Sequence, residues 1–247
     1  RVAAGRPGYG ILVDGRLGRD ALFEAAGKGL FIGRPAELPG SRPLDVEPEL
    51  GADFGGLAEW PLEHVVKVLC IAHPDDPPEL AREQEKTVLR LFTAARRQGL
   101  EFLLELTPSK AGPVDDHTTA DLIDRFYACG IFPDWWKLEP FRSEAAWQKA
   151  VAAIERNDPR TRGIVVLGLD APEKELAESF ALAARQPLVK GFAVGRTIFL
   201  EPAERWLAGE IGDEEAVVAM ASTFARLCAI WDGARGRAVP VSRGEPT

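Results

Sequence analysis

The chain is poor in the residues that hold metals and cross-links. Its 247 residues include three histidines and three cysteines. His64, His73 and His117 form no HxH or HExxH spacing, so no standard zinc signature is present. His73 lies near Asp75 and Asp76, but a Pro-rich loop with exposed acids explains that trio better, and neither metal nor cofactor is expected. Cys70, Cys129 and Cys228 are scattered and odd in number. That argues against a disulfide framework and for buried thiols in a reducing, cytoplasmic compartment. There is no basic run, and the formal net charge is −8, which excludes a general nucleic-acid binder. No apolar run approaches the length of a membrane span, so no membrane partner is expected. There is no G-x-S-x-G elbow and hence no support for a serine hydrolase. No signal peptide precedes the first strand. The chain also lacks a starting methionine, and residues 2–8 read as the end of a helix and a turn. An N-terminally incomplete domain is therefore expected.

What is present is a steady alternation of strands and helices. Strands are expected at residues 9–14, 30–33, 64–72, 100–106, 135–139, 163–169 and 189–196. Helices are expected at 21–26, 79–98, 120–129, 145–157, 173–185 and 213–231. In the last of these, Val217, Met220, Phe224, Leu227 and Trp231 form a core-facing stripe. Alternation of this kind predicts a parallel sheet. Seven strands at this spacing fit a (β/α)₈ TIM barrel lacking its first β/α unit. The rival is a doubly wound open sheet, but residues 14–18, Asp-Gly-Arg-Leu-Gly, do not fit its phosphate fingerprint. Residues 1–233 read as one barrel domain and 234–247 as a flexible tail. The Pro/Gly-rich stretch 34–48 is too long for an ordinary βα connection, and long ordered loops are often functional.

Three expected strands place an ionisable residue inside apolar sequence: Lys67, Glu105 and Lys137. Along the strand ending at Pro140, Trp135, Lys137 and Glu139 share one face. Any one of these charges alone could be a salt bridge or a snorkelling side chain. Several on successive parallel strands would be an expensive way to build a core, so they read as one convergent site. A buried amine whose pKa is lowered can attack a carbonyl. Arg196, directly after Gly195, is read as a fourth contribution from a strand. Its fork suits phosphate oxygens, and Gly195 and Gly168 would let backbone approach a ligand closely. The loops after the last two barrel strands are the usual phosphate site of this fold. The expected substrate is a phosphorylated small molecule with a carbonyl. Asp14, Arg34, His73 and Glu139 are further substrate-binding candidates near strand ends.

The motifs Val66-Lys67-Val68-Leu69, Phe102-Leu103-Leu104-Glu105, Trp136-Lys137-Leu138-Glu139-Pro140 and Val194-Gly195-Arg196-Thr197-Ile198-Phe199 resemble, in that order, the strand motifs of class I tagatose-bisphosphate aldolases. Tyr9-Gly10-Ile11-Leu12-Val13-Asp14, Ile32-Gly33-Arg34-Pro35, Glu37-Leu38-Pro39-Gly40-Ser41 and Pro133-Asp134-Trp135-Trp136 carry a second resemblance. It is to the aldolase-like domain fused behind 5-dehydro-2-deoxygluconokinase in bacterial myo-inositol catabolism. The resemblance implies a Schiff-base role for Lys137 and proton transfer by Glu105. It also implies a second cation at Lys67 and a phosphate ligand at Arg196. Cleavage of 2-deoxy-5-keto-gluconate 6-phosphate to dihydroxyacetone phosphate and malonic semialdehyde follows from it, with an attached sugar kinase as partner. Two departures stand out. Leu167-Gly168-Leu169 replaces a serine of the tagatose enzymes, and the family's first strand, with its aspartate, is missing. Two other readings stay open at this point. One is a non-catalytic sugar-phosphate-binding domain that regulates the kinase. The other is a barrel lyase or isomerase that uses Glu105 as base without an imine. Homo-oligomer formation is also open.

Overall fold

Seven parallel strands alternate with helices along residues 8–168 and 171–236, the part of the chain that this computed structural model describes. The strands are β1 (Gly10–Leu12), β2 (Phe31–Pro35), β3 (His64–Cys70), β4 (Glu101–Leu106), β5 (Trp135–Leu138), β6 (Gly163–Leu167) and β7 (Val189–Ala193). They pair in sequence order, every pair parallel, into a nearly closed barrel. This is a TIM-barrel-like fold with one unit fewer than eight among the described residues. The helices are α1 (Arg19–Ala25), α2 (Pro78–Arg97), α3 (Thr118–Ala128), α4 (Glu144–Asn157), α5 (Glu173–Ala183), α6 (Arg196–Leu207) and α7 (Asp213–Ala234).

Strand alternation divides the core in two. Val66, Val68, Phe102, Leu104, Trp136, Leu138, Ile164 and Val166 point outward into one buried cluster. Val88 and Leu91 of α2, Ile123 and Phe126 of α3, and Trp147 and Ile154 of α4 meet them there. The inward faces carry Val65, Leu103 and Trp135 below the charged residues. Trp135 lies edge-on to Phe31, with ring centroids 5.5 Å apart, and donates its indole N–H to Glu101 Oε2 at 2.9 Å. That layer closes the N-terminal end of the barrel.

The stretch expected to be a long loop has a structural role. No α-helix joins β2 to β3. Two 3₁₀ turns, Pro48–Leu50 and Gly55–Glu59, take that place. Leu44, Leu50, Phe54, Leu57 and Trp60 are buried in the same cluster as Val66 and Val88. The connection is thus the outer layer over β2 and β3.

Helix α6 was absent from the sequence reading. Pro202 sits inside it, and the preceding strand was read through to Arg196. The strand in fact stops at Ala193, and Arg196 is the first residue of α6. The expected stripe on α7 is only partly a core face. Leu227 and Trp231 are buried, whereas Val217 is 45% exposed. By length and composition alone, α7 is also apolar enough to cross a membrane, which the sequence reading did not find. Its alanine-rich composition hides that property from a search for runs of large apolar residues. Across the edge between β1 and β7, aromatic rings make the contact. Tyr9 packs edge-on against Phe224 of α7 at 5.9 Å, and Phe224 reaches Phe192 of β7 at 6.4 Å. Residues 1–7 of the expected helix end, Leu169 of the expected sixth strand, and tail residues 237–247 lie outside the described residues.

Leu57 is fully buried, so Leu57→Ala is expected to cost about 2–5 kcal/mol, as for a core leucine. A surface-loop position would cost about 0.5 kcal/mol or less. The urea midpoint of the variant decides between the two.

Candidate functional site

The inward faces of β3, β4 and β5 bring together Lys67, at the middle of its strand, and Glu105 and Lys137, near the C-terminal ends of theirs. Glu105 and Lys137 are register partners, and Lys67 lies two residues before Leu69, the partner of Glu105 on the other side. Lysine is long enough to cover that offset. Lys137 Nζ donates to Glu105 Oε1 at 2.9 Å, and Lys67 Nζ lies 2.8 Å from Glu105 Oε2. One carboxylate therefore holds two ammonium groups, one on each oxygen. All three residues are buried, at 7%, 4% and 6% exposure for Lys67, Glu105 and Lys137.

A fourth member, Glu37, was not among the expected site residues. Its Oε1 accepts a hydrogen bond from Lys67 Nζ, and the side chain is 4% exposed. Glu37 lies two residues beyond β2, yet the backbone is still extended there. Ala36 N–H donates to Lys67 O at 2.9 Å, and Glu37 bridges to Val46. Counting the two-residue alternation past Pro35 would have put Gly33, Pro35 and Glu37 on the inward face. The strand was read as ending at Gly33, before a Pro/Gly-rich stretch, and the signal was lost.

The four charges perturb one another. Burial pulls the Lys137 amine below the usual lysine range, and the Lys67 cation adds to that, with Glu105 opposing. Burial also acts against a charged Lys67, but Glu37 and Glu105 outweigh it and hold Lys67 above the usual range. For Glu105, burial is outweighed by Lys67 and Lys137, which keep its carboxyl below the usual carboxylate range. Burial pushes Glu37 up, with Lys67 opposing. The set contains a carboxylate held ionised and an amine biased toward its neutral form, in direct contact. Such a pair can supply a nucleophile and a base together.

The other expected residues fall into two groups. Glu139 shares the inward side of β5 with Lys137 and is buried. Ser109 Oγ donates to its Oε1 at 2.6 Å and Ser109 N–H to its Oε2 at 3.3 Å. Burial pushes its carboxyl up, against those hydrogen bonds. Gly168, Gly195 and Arg196 follow β6 and β7 at the same end of the barrel. Thr197 Oγ1 ties the first turn of α6 to Ala171 O at 3.0 Å, so the two loops are fastened together. Gly168 also has a packing reason, since a Cβ there would come within 2.8 Å of Val194 Cγ2.

Asp14, Arg34 and His73 have other partners. Asp14 Oδ1 accepts from Arg16 N–H at 2.8 Å and Leu17 N–H at 2.6 Å, closing a turn. Arg34 lies on the outward side of β2, with its guanidinium 4.1 Å from the Trp60 ring centroid and 3.1 Å from Glu49 Oε1. His73 Nε2 lies 2.8 Å from Pro113 O, and His73 Nδ1 accepts from Asp75 N–H at 3.2 Å. These contacts order loops around the barrel and do not reach the lysines.

A parallel barrel with charged side chains converging inside it defines a protein of TIM-barrel-like fold. Fructose-bisphosphate aldolase of Plasmodium falciparum, solved with TRAP and a small-molecule inhibitor, superposes with a TM-score of 0.59 at 14% identity. The match covers 87% of this chain and 72% of that one. The Corynebacterium glutamicum protein Cgl0159 superposes at 0.53 and 21% identity, over 92% of this chain and 73% of that one. At these identities the likeness is one of fold. Among curated proteins, none is similar enough in sequence to match. The family model described as "Uncharacterized protein conserved in bacteria (DUF2090)" matches residues 1–235, and the chain belongs to that family.

The Glu37–Lys67 contact can be weighed by a double-mutant cycle. Lys67→Met leaves Glu37 buried without its cation and is expected to cost about 3–5 kcal/mol. The combined Glu37→Gln, Lys67→Met variant is expected to lose less than the sum of the single losses, by about 0.5–3 kcal/mol. Additive losses in urea unfolding would show that the pair is not coupled.

Proposed function

We propose that the protein is a class I aldolase-like lyase that cleaves a phosphorylated keto sugar acid through an imine on Lys137. The observation that carries this reading is the contact at 2.9 Å between Lys137 and Glu105, two groups buried together and both held below their usual ranges, which favours a neutral amine beside an ionised carboxylate. The neutral amine attacks the substrate ketone, and loss of water gives an iminium. The carbon–carbon bond breaks, and its electron pair moves into the iminium to give an enamine. Glu105 takes the proton of the hydroxyl on the departing carbon, which leaves as an aldehyde. Protonation of the enamine and hydrolysis release the ketone and restore the amine. Lys67 lies beside the reacting carbonyl as a cation.

The finer substrate assignment rests on the sequence resemblance. It points to 2-deoxy-5-keto-gluconate 6-phosphate, with the iminium at carbon 5 and cleavage between carbons 3 and 4. The products are dihydroxyacetone phosphate and malonic semialdehyde, in myo-inositol catabolism. The same resemblance suggests association with a sugar kinase domain. Arg196, with the Gly195 and Gly168 backbone, is the proposed phosphate site, in keeping with the usual place of phosphate in this fold.

Borohydride reduction in the presence of dihydroxyacetone phosphate is expected to leave a mass adduct on Lys137. Lys137→Ala is expected to lose the adduct and all cleavage while keeping its circular dichroism spectrum. Turnover at the wild-type rate in that variant would end the imine reading. Phosphate binding without an adduct in the wild-type chain would favour a binding domain instead.

The rate of imine formation is expected to rise with pH as Lys137 loses its proton, with a midpoint below the ordinary lysine value of 10.5. Removing the neighbouring cation in Lys67→Met should move that midpoint upward. Stopped-flow trapping across pH checks the sign, and a downward move would contradict it.

A further inference from the structure

The row of charges Glu37, Lys67, Glu105, Lys137 is uneven. Among the described residues, Lys67 Nζ touches two carboxylates, and Lys137 Nζ touches one. We infer that Glu37 is the positioning residue that decides which of the two buried lysines serves as the reactive amine. This rests on the imine reading above and adds to it a residue that acts through Lys67.

In other respects the two lysines are nearly equivalent. They are buried to the same degree, at 7% and 6% exposure. Each takes one oxygen of the same carboxylate, at 2.8 and 2.9 Å. Both project from the inward face of the sheet, from the two strands that flank β4. Nothing in this part of the geometry tells a carbonyl which amine to meet. The remaining charges nearby do not break the tie strongly. Glu139 from β5 is held by Ser109, and Lys110 stands next to it. Glu37 is the clear asymmetry.

Its effect follows from simple electrostatics. Each carboxylate in contact favours the ammonium form of a lysine, and a neighbouring cation disfavours it. Lys67, gripped from both sides, keeps its proton. Lys137 has one carboxylate, which it shares, and faces the Lys67 cation across it. Lys137 is therefore the amine that gives up its proton. The opposite shifts of the two lysines agree with this order. Burying Glu37 is costly unless it is paired, and its partner is Lys67. Glu37 Oε2 has no hydrogen-bond partner among the described residues, so the side chain is not accounted for by a wider structural network.

The test is Glu37→Gln, which keeps the shape and removes the charge. Wild-type protein and variant are reduced with borohydride in the presence of dihydroxyacetone phosphate, and the adducts are mapped by peptide mass spectrometry. The variant is expected to spread its adduct over Lys67 and Lys137, the Lys67 share rising at least tenfold. An adduct that stays on Lys137 alone would overturn the inference. A second measurement does not depend on the variant folding. The side-chain carbons of labelled lysine in the wild-type chain are titrated by NMR. Lys137 is expected to titrate at least one pH unit below Lys67, and a coincident or reversed order would overturn the inference. Absence of any wild-type adduct would count against the imine reading, while the order of the two lysines would still be read from the titration.

Discussion

Much of this molecule depends on one carboxylate shared between two buried amines. Glu105 gives an oxygen to each lysine, and it links the two buried amines, Lys67 having Glu37 as a second carboxylate. That sharing requires three neighbouring parallel strands whose inward faces meet at one height. The parallel pairing of β3, β4 and β5 supplies it, with Lys137 level with Glu105 and Lys67 reaching across a two-residue offset. An error of one residue in any of these registers would turn a charge outward among the helices. The hydrophobic faces of the strands therefore also fix the charge geometry. Val66, Val68, Phe102, Leu104, Trp136 and Leu138 can be buried only in the register that aligns the ions.

The surroundings hold that geometry rigid from two directions. Below the ions, Trp135 spans the barrel floor between Phe31 and Glu101. Outside β3, the connection from β2 replaces a helix with packed turns. Its two ends do different work. The beginning, still extended after Pro35, sends Glu37 inward to Lys67, and the later part buries Leu50, Leu57 and Trp60 against the outer face. A plain α-helix starting directly after β2 would have covered the strand equally well but would not have carried the extended backbone as far as residue 37.

Much of this was legible in the sequence because charges inside apolar strands are conspicuous. Lys67, Glu105 and Lys137 each interrupt an otherwise buried run, and the alternation of strands and helices placed those runs side by side. Glu37 was not legible in the same way. It follows a proline in a stretch rich in turn residues, where a glutamate is ordinary. Arg34 was read as the start of the loop stretch. The structure has it in β2, one position off the inward face, where Trp60 and Glu49 take it up. Helix α6 was hidden by Pro202, because a proline inside a helix removes one backbone bond and usually marks its end. Here the helix runs on for another turn.

The position of the ions within the sheet bears on how a barrel of seven strands can keep them organised. Among the described strands, β4 is central, with three neighbours on either side in the order from β1 to β7. Glu105 therefore sits on the strand farthest from both edges, and its two lysines sit on the strands flanking it. The ion pairs among them are made by β3, β4 and β5 alone. The proposed phosphate contacts are placed differently, since Gly195 and Arg196 follow β7, which is an edge strand. Asp14 follows β1, the other edge, and is engaged in its own turn. Preorganisation of the amine and the base is thus a property of the middle of the sheet. The proposed phosphate grip would instead lie at the edge, where α6 is fastened by Thr197 to the segment after β6. On the proposed reading, changes at that edge should act on substrate affinity before they act on the chemistry, because the ion cluster shares no strand with it.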